Sequence, residues 1–234
     1  MNLFLFHACP ELCAKQYPKT YVIKMILEYA QMLCTALYVL EFEAAYPDVA
    51  YKPKTLTEAG FAFEEFCVQE CGRKPYAPTH LHHPMSVWVR SRRENFAFTS
   101  TLALALCKRF SENSGKQHAT QPLLAWIHRT YVVENTFLPF PTRLPASKDK
   151  LYASMPDNMS PLPLCVDETI VSSSRRASEE VSAVQVYRNY FLQCKLSVKP
   201  SIFNRWYDDA CVPDWVQDSD EYKTLVFQVQ TPCS

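Results

Sequence analysis

Tyr21, Lys24, Glu28, Gln31 and Thr35 follow one another at steps of three or four residues. That spacing stacks their side chains on a single face of a helix. Around them, from Tyr21 to Leu40, stand residues such as Val22, Ile23, Met25, Ile26, Met32, Leu33, Leu37 and Val39, the composition of a helix buried on nearly every side. An unpaired Lys or Glu is costly to bury, so the stripe either faces water or lines a site. A carboxylate placed there can stabilise a developing positive charge, and an amine beside it can attack an electrophilic carbon. A carboxylate one turn away also favours ammonium over free amine, which handicaps Lys24 as a nucleophile. A partly buried Lys24–Glu28 ion pair is the structural alternative.

His83 and His118 are the other candidates for acid–base or phosphate contacts. His83 directly precedes Pro84, a favoured first-turn residue, so its imidazole caps a helix or faces an anion. His118 follows Gly115-Lys116 in a loop. The two lie in or beside a basic stretch, Arg73 to Lys116, with eight Lys and Arg against Glu94 and Glu112. That stretch supplies Arg90, Arg92, Arg93, Asn95 and Lys116 to a phosphate-facing surface, unless it is simply a solvated helix face. The chain as a whole carries 24 basic and 24 acidic residues, so net charge selects no partner.

Cys9 and Cys13, and Cys67 and Cys71, are four apart, with His80, His82 and His83 downstream. This is not a common zinc spacing, and the ten cysteines are scattered through a chain with ample core material. Reduced, buried thiols are expected, in an intracellular (cytosolic or nuclear) setting, with no metal and no cofactor. Three glycines against 17 prolines disfavour a Gly-rich phosphate loop and tight-turned all-β folds. Lys24 and Glu28 interrupt the longest apolar run, so no membrane span is expected, and the N-terminus lacks the pattern of a signal peptide.

The elements that must position these residues are mainly helical. Asn2 to Phe6 is a short buried strand or an extended segment. The striped helix follows Pro18, and Glu58 to Cys71 forms another with Phe61, Phe63, Phe66 and Cys67 inside. A long helix starts at Pro84, runs through Phe110 and ends at Ser114-Gly115. Further helices span about Thr120 to Val133 and Glu179 to Cys194. The Pro- and Ser-rich stretch from 138 to 182 reads as loop. The fold class is a single, mainly α domain over residues 1–234, with irregular insertions at about 42–78 and 142–182.

Seven runs carry a resemblance: Met1 to Phe4 (MNLF), Lys24 to Leu33 (KMILEYAQML), His83 to Asn95 (H-P-x3-W-x-R-x4-N), Gly115 to His118 (G-K-x-H), Met155 to Asp157 (MPD), Tyr187 to Tyr190 (YRNY), and Trp206 with Pro213 and Trp215. In this order they resemble a family of small uncharacterised proteins of phages and large DNA viruses. That family is in turn distantly similar to the pyrimidine-dimer DNA glycosylase of the endonuclease V type. The resemblance implies a compact helical protein that attacks the sugar with its N-terminal amine and uses a helix-borne Glu to stabilise the cation. Glu28 takes the place of that Glu, and Met1 carries the amine, with Lys24 as a substitute. Tyr21 stands where the glycosylase has His, and a phenol, neutral at pH 7, cannot offer a phosphate a cation. Gln31, Arg188 and Trp206 join the basic residues above as nucleic-acid contacts, and aromatics such as Tyr187, Tyr190 and Phe191 stack on bases or, more commonly, fill the core. DNA or a nucleotide is the implied partner. Oligomeric state is not encoded in these motifs.

Overall fold

The computed structural model describes residues 2–141, 152–155, 159–174, 182–197, 212–220 and 222–223. The striped segment is the centrepiece, helix α2 (Lys19–Ala45), preceded by the short α1 (Pro10–Lys15). From Tyr29 to Leu40 only Gln31 is not buried, whereas Ile23 and Leu27 near the helix start are 44% and 38% exposed. The expected all-round burial therefore holds for the second half of α2 alone. By length and composition α2 could cross a membrane, but 72% of its most apolar window is covered by the rest of the chain, as in a core helix.

The helix expected from Glu58 to Cys71 starts later, as α4 (Ala62–Cys71), and a separate helix, α3 (Pro53–Glu58), precedes it. Gly60, at φ +64°, turns the chain between them in a conformation that glycine adopts without strain. Leu56, Phe63 and Cys67 anchor both helices to the core.

The long helix expected after Pro84 is also divided, into α5 (Pro84–Ser91) and α6 (Arg93–Ser114). Arg92 is extended at φ −151°, and the carbonyls released by the break find side chains. Both the Ser91 hydroxyl and the Asn95 amide donate to the Trp88 carbonyl at 2.7 Å. α6 then packs along α2 and α1 and ends where expected, at Gly115 with φ +65°.

Helix α7 (Gln121–His128) continues into a π-helical turn, Arg129–Val133, which together match the expected helix. The stretch read as loop contains structure: a two-residue antiparallel ladder of β1 (Tyr152–Ala153) with β2 (Leu162–Pro163), and helix α8 (Glu168–Ser173). Leu162, Leu164, Ile170 and Val171 are buried there, apolar positions too few and too spread to show a period. Helix α9 (Ala183–Phe191) passes into a second π-helical turn, Leu192–Leu196, and α10 (Asp214–Gln217) is short.

Leu3 to Phe6 run extended through the interior, all four side chains buried, without joining a sheet. A buried extended backbone must still satisfy its polar groups. Tyr17 donates its hydroxyl to the Phe4 carbonyl, the Phe6 N–H reaches the Cys13 sulfur at 3.3 Å, and Arg188 Nε donates to the Phe6 carbonyl at 3.0 Å. Side chains of α1, the α1–α2 loop and α9 thus take over the role of a neighbouring strand.

Candidate functional site around Glu28

The first three turns of α2 present Tyr21, Lys24 and Glu28 of the stripe beside Asn2. The Glu28 carboxylate accepts the Asn2 backbone N–H at 3.4 Å and pairs with the Lys24 ammonium at 3.4 Å, with the Lys24 side chain 61% exposed and that of Glu28 17%. Asn2 is fixed from the opposite side: Tyr187 donates its hydroxyl to the Asn2 side-chain oxygen at 3.1 Å, and the Asn2 amide reaches the Cys165 carbonyl at 3.5 Å. A half-buried carboxylate is therefore held next to the chain start by residues from α2, α9 and the segment after β2. Met1 lies outside the described residues.

Tyr21 does not act as a replacement for a histidine cation. Its ring is packed edge-on against Phe4 at 5.6 Å and Phe191 at 5.2 Å, and burial pushes its phenol pKa up, so it stays neutral. A cation reaches this corner from elsewhere. Lys195, in the π-helical turn after α9, lies 5.2 Å from the Tyr190 ring centre. Burial works against its charge, but its hydrogen bond and charge coupling to Tyr190, with a further contribution from Tyr21, raise its pKa overall. No sequence motif marks Lys195. Beneath the patch Tyr17 and Tyr29 share a 2.6 Å hydrogen bond; because the Tyr17 proton goes to Phe4, Tyr29 is the donor. Burial holds both phenols well above their ordinary pKa.

Further along the stripe Gln31 is half-buried, and Thr35 is fully buried, exchanging hydrogen bonds with the Thr79 backbone at 3.3 and 3.1 Å. Thr35 thus ties α2 to a loop instead of continuing a polar face.

Five of the residues assigned to nucleic-acid contacts brace the fold. Asn95 is fully buried: besides the Trp88 carbonyl, its amide reaches the Ser91 and Ser160 hydroxyls, and its oxygen accepts the Ser160 N–H at 3.1 Å. Trp88 completes this network by donating to the Ser160 carbonyl at 2.9 Å. Arg90 is 8% exposed and donates to the Leu81 carbonyl at 2.7 Å. Arg93 caps the π-helical turn after α7 through the Tyr131 and Val132 carbonyls at 3.2 and 3.4 Å. His83 caps α5, its Nδ1 accepting the Met85 N–H at 3.2 Å, as its place before Pro84 suggested. His118 does the same for the Thr120 N–H at 3.2 Å, with its ring against Phe110 and burial lowering its pKa. Arg92 and Lys116 are exposed. The structure does not gather this set onto one surface; Asn95 and Arg90 belong to the interior. Trp206 lies outside the described residues.

Arg188 is found instead at a cleft of about 1050 Å³ between α1, α6 and residues 212–215. There it contacts Gln16 at 3.4 Å and lies 5.6 Å from the Trp215 ring centre, while Trp215 donates to Gln16 at 2.7 Å. Lys15, Lys108, Arg109 and His128 also line the cleft, opposed by Glu11, Glu112 and Asp214. Glu28 does not line it.

The chain matches no family model, no curated protein and no solved structure. Among the described residues no three His, Cys, Asp or Glu side chains come together as a metal site. Cys13 and Cys67 turn their sulfurs to the Phe4 and Arg73 carbonyls, and burial pushes both thiols up to about 12.

Proposed function

We propose that the Glu28 patch is the reacting centre of a glycosylase/lyase-like protein acting on damaged or modified DNA bases. The observation that carries this reading is the 3.4 Å approach of the Asn2 backbone nitrogen to the Glu28 carboxylate, across 26 residues of sequence. The amine assigned to the reaction is the α-amine of a chain that starts at Met1 or Asn2. It would form a bond to C1′ of the sugar as the C1′–base bond breaks, the electron pair leaving with the base. Loss of the amine proton and ring opening then give an imine. Glu28 stabilises the positive charge on the sugar, a task suited to a fixed, half-buried carboxylate. Lys24 is a poorer amine because it is ion-paired and solvated, and Lys195 because its ammonium is stabilised.

Borohydride trapping on duplexes with an abasic site or a pyrimidine dimer, together with the intact mass of the purified chain, tests this. The expected result is a covalent adduct that Glu28→Gln and an N-terminal extension each reduce at least a hundredfold, with unfolding temperatures unchanged. No adduct and no base release across the panel would sink the proposal. A second reading, nucleotide binding without DNA chemistry, is favoured by the volume of the Arg188 cleft, which admits a nucleotide-sized ligand. It predicts that a nucleotide raises the unfolding temperature and that Lys108→Glu abolishes the rise.

A further inference from the structure

A second cleft, of about 430 Å³, lies on a different side of the helical bundle, between α2, α4 and the end of α7. The π-helical turn Arg129–Val133 forms one wall, a distortion frequent at functional sites. Its lining is aromatic: Phe61, Phe66, Trp126, Tyr131 and Phe137. Phe66 is 57% and Phe137 81% exposed, a large apolar area presented to solvent. Among these rings sits Glu41, half-buried, with no hydrogen bond or ion pair among the described residues. The cleft's basic residue, Arg129, is already engaged at the rim, 2.7 Å from Glu70 and 3.7 Å from Glu134.

We propose that this cleft binds an organic ammonium ion, with the aromatic rings surrounding the cation and Glu41 balancing its charge. The chemistry selects that class of ligand. Electron-rich ring faces attract a weakly hydrated cation, most strongly for methylated ammonium groups. A carboxylate withdrawn from water beside those rings supplies the counter-charge that it otherwise lacks. A neutral apolar guest would leave Glu41 desolvated and unpaired, and a small divalent cation would need several oxygen ligands where the walls offer rings. The volume admits tetramethylammonium or choline and leaves room for a larger substituent on the nitrogen.

Calorimetric titration of the full chain with tetramethylammonium and choline chlorides at constant ionic strength provides the test. The neutral choline isostere 3,3-dimethylbutan-1-ol serves as the uncharged control. Both cations are expected to bind at least tenfold more tightly than the isostere. Glu41→Gln should remove that preference, and Phe137→Ala should weaken both cations several-fold, with circular dichroism of each variant unchanged. Absence of binding, equal affinity for the isostere, or full affinity in folded Glu41→Gln would each overturn the assignment. The outcome is independent of the chemistry proposed at Glu28.

Discussion

Removing the Asn95 side chain should destabilise the protein by about 3 kcal/mol. In Asn95→Ala the Trp88 carbonyl keeps its 2.7 Å bond from Ser91, and the Ser160 hydroxyl remains 3.2 Å from that of Ser91. The Ser160 N–H has no such reserve: it loses its acceptor in an environment where both residues are at most 3% exposed. An orphaned buried donor costs about 1–3 kcal/mol, and each lost hydrogen bond contributes about 1 kcal/mol more. For a chain of this size the total corresponds to a fall in unfolding temperature of about 6–12 °C. Asn95→Asp should be worse, because it turns an oxygen toward the Trp88 carbonyl, whereas Ser160→Ala keeps the backbone bonds and should cost only about 1 kcal/mol. Urea unfolding monitored by circular dichroism measures all three. A loss under about 0.5 kcal/mol for Asn95→Ala would refute the interior role of Asn95 and return it to the surface contacts that its motif suggested.

Glu41→Gln should stabilise the protein at neutral pH. Burial raises the Glu41 carboxyl pKa, with Glu70, Glu134, Arg129 and Tyr131 as the other titratable groups lining its cleft. The folded chain then holds this proton more tightly than the unfolded chain, so wild-type stability falls as pH rises through the carboxylate range. The gain in unfolding temperature should be full at pH 7 and vanish below about pH 4, the range of an unperturbed glutamate; a gain independent of pH would contradict the assignment. Cys13, Cys34, Cys67 and Cys107, each pushed up to about 12 by burial, should resist iodoacetamide at pH 8 until the chain unfolds. Among the described cysteines, mass spectrometry of the native protein should find label first on the half-buried Cys9, Cys165 and Cys194, and rapid native labelling of Cys34 would show that its surroundings open to solvent.

The parts of the fold legible in the sequence are those set by local rules. The Pro84 start, the Gly115 stop and the period of α2 and α7 need only neighbours within a turn or two. The break at Arg92 was not legible because no Pro or Gly marks it. It depends on Asn95 and Ser91 reaching the Trp88 carbonyl, and on Ser160, 65 residues from Asn95, closing the network. Both π-helical turns follow sequences with ordinary helical patterns, so nothing local distinguishes them. The candidate site divides in the same way. Glu28 was visible as a charge on an apolar helix, but its contact with Asn2 spans 26 residues and the support of Asn2 by Tyr187 spans 185. Lys195 was invisible, since only the approach of α9 to the start of α2 gives it significance.

The same long-range ties bear on what a substitution at the site would mean. Asn2 has few ways to move: its side chain is held by Tyr187 and Cys165, and the next four residues are buried and bonded to Cys13, Tyr17 and Arg188. The distance between Asn2 and Glu28 is therefore set by the packing of α1 and α9 more than by the Glu28–Asn2 bond itself. Exposed Lys24 contributes little to it, since an i, i+4 pair in solvent is worth only about 0.3–0.5 kcal/mol. Glu28→Gln should consequently change the charge at this point without moving the backbone, whereas Tyr187→Phe, which removes one of the two bonds that tie the Asn2 side chain to the rest of the fold, should loosen Asn2 without changing the charge. Chemistry at Glu28 that survives the second change and not the first depends on the carboxylate; chemistry lost in both depends also on how firmly Asn2 is held.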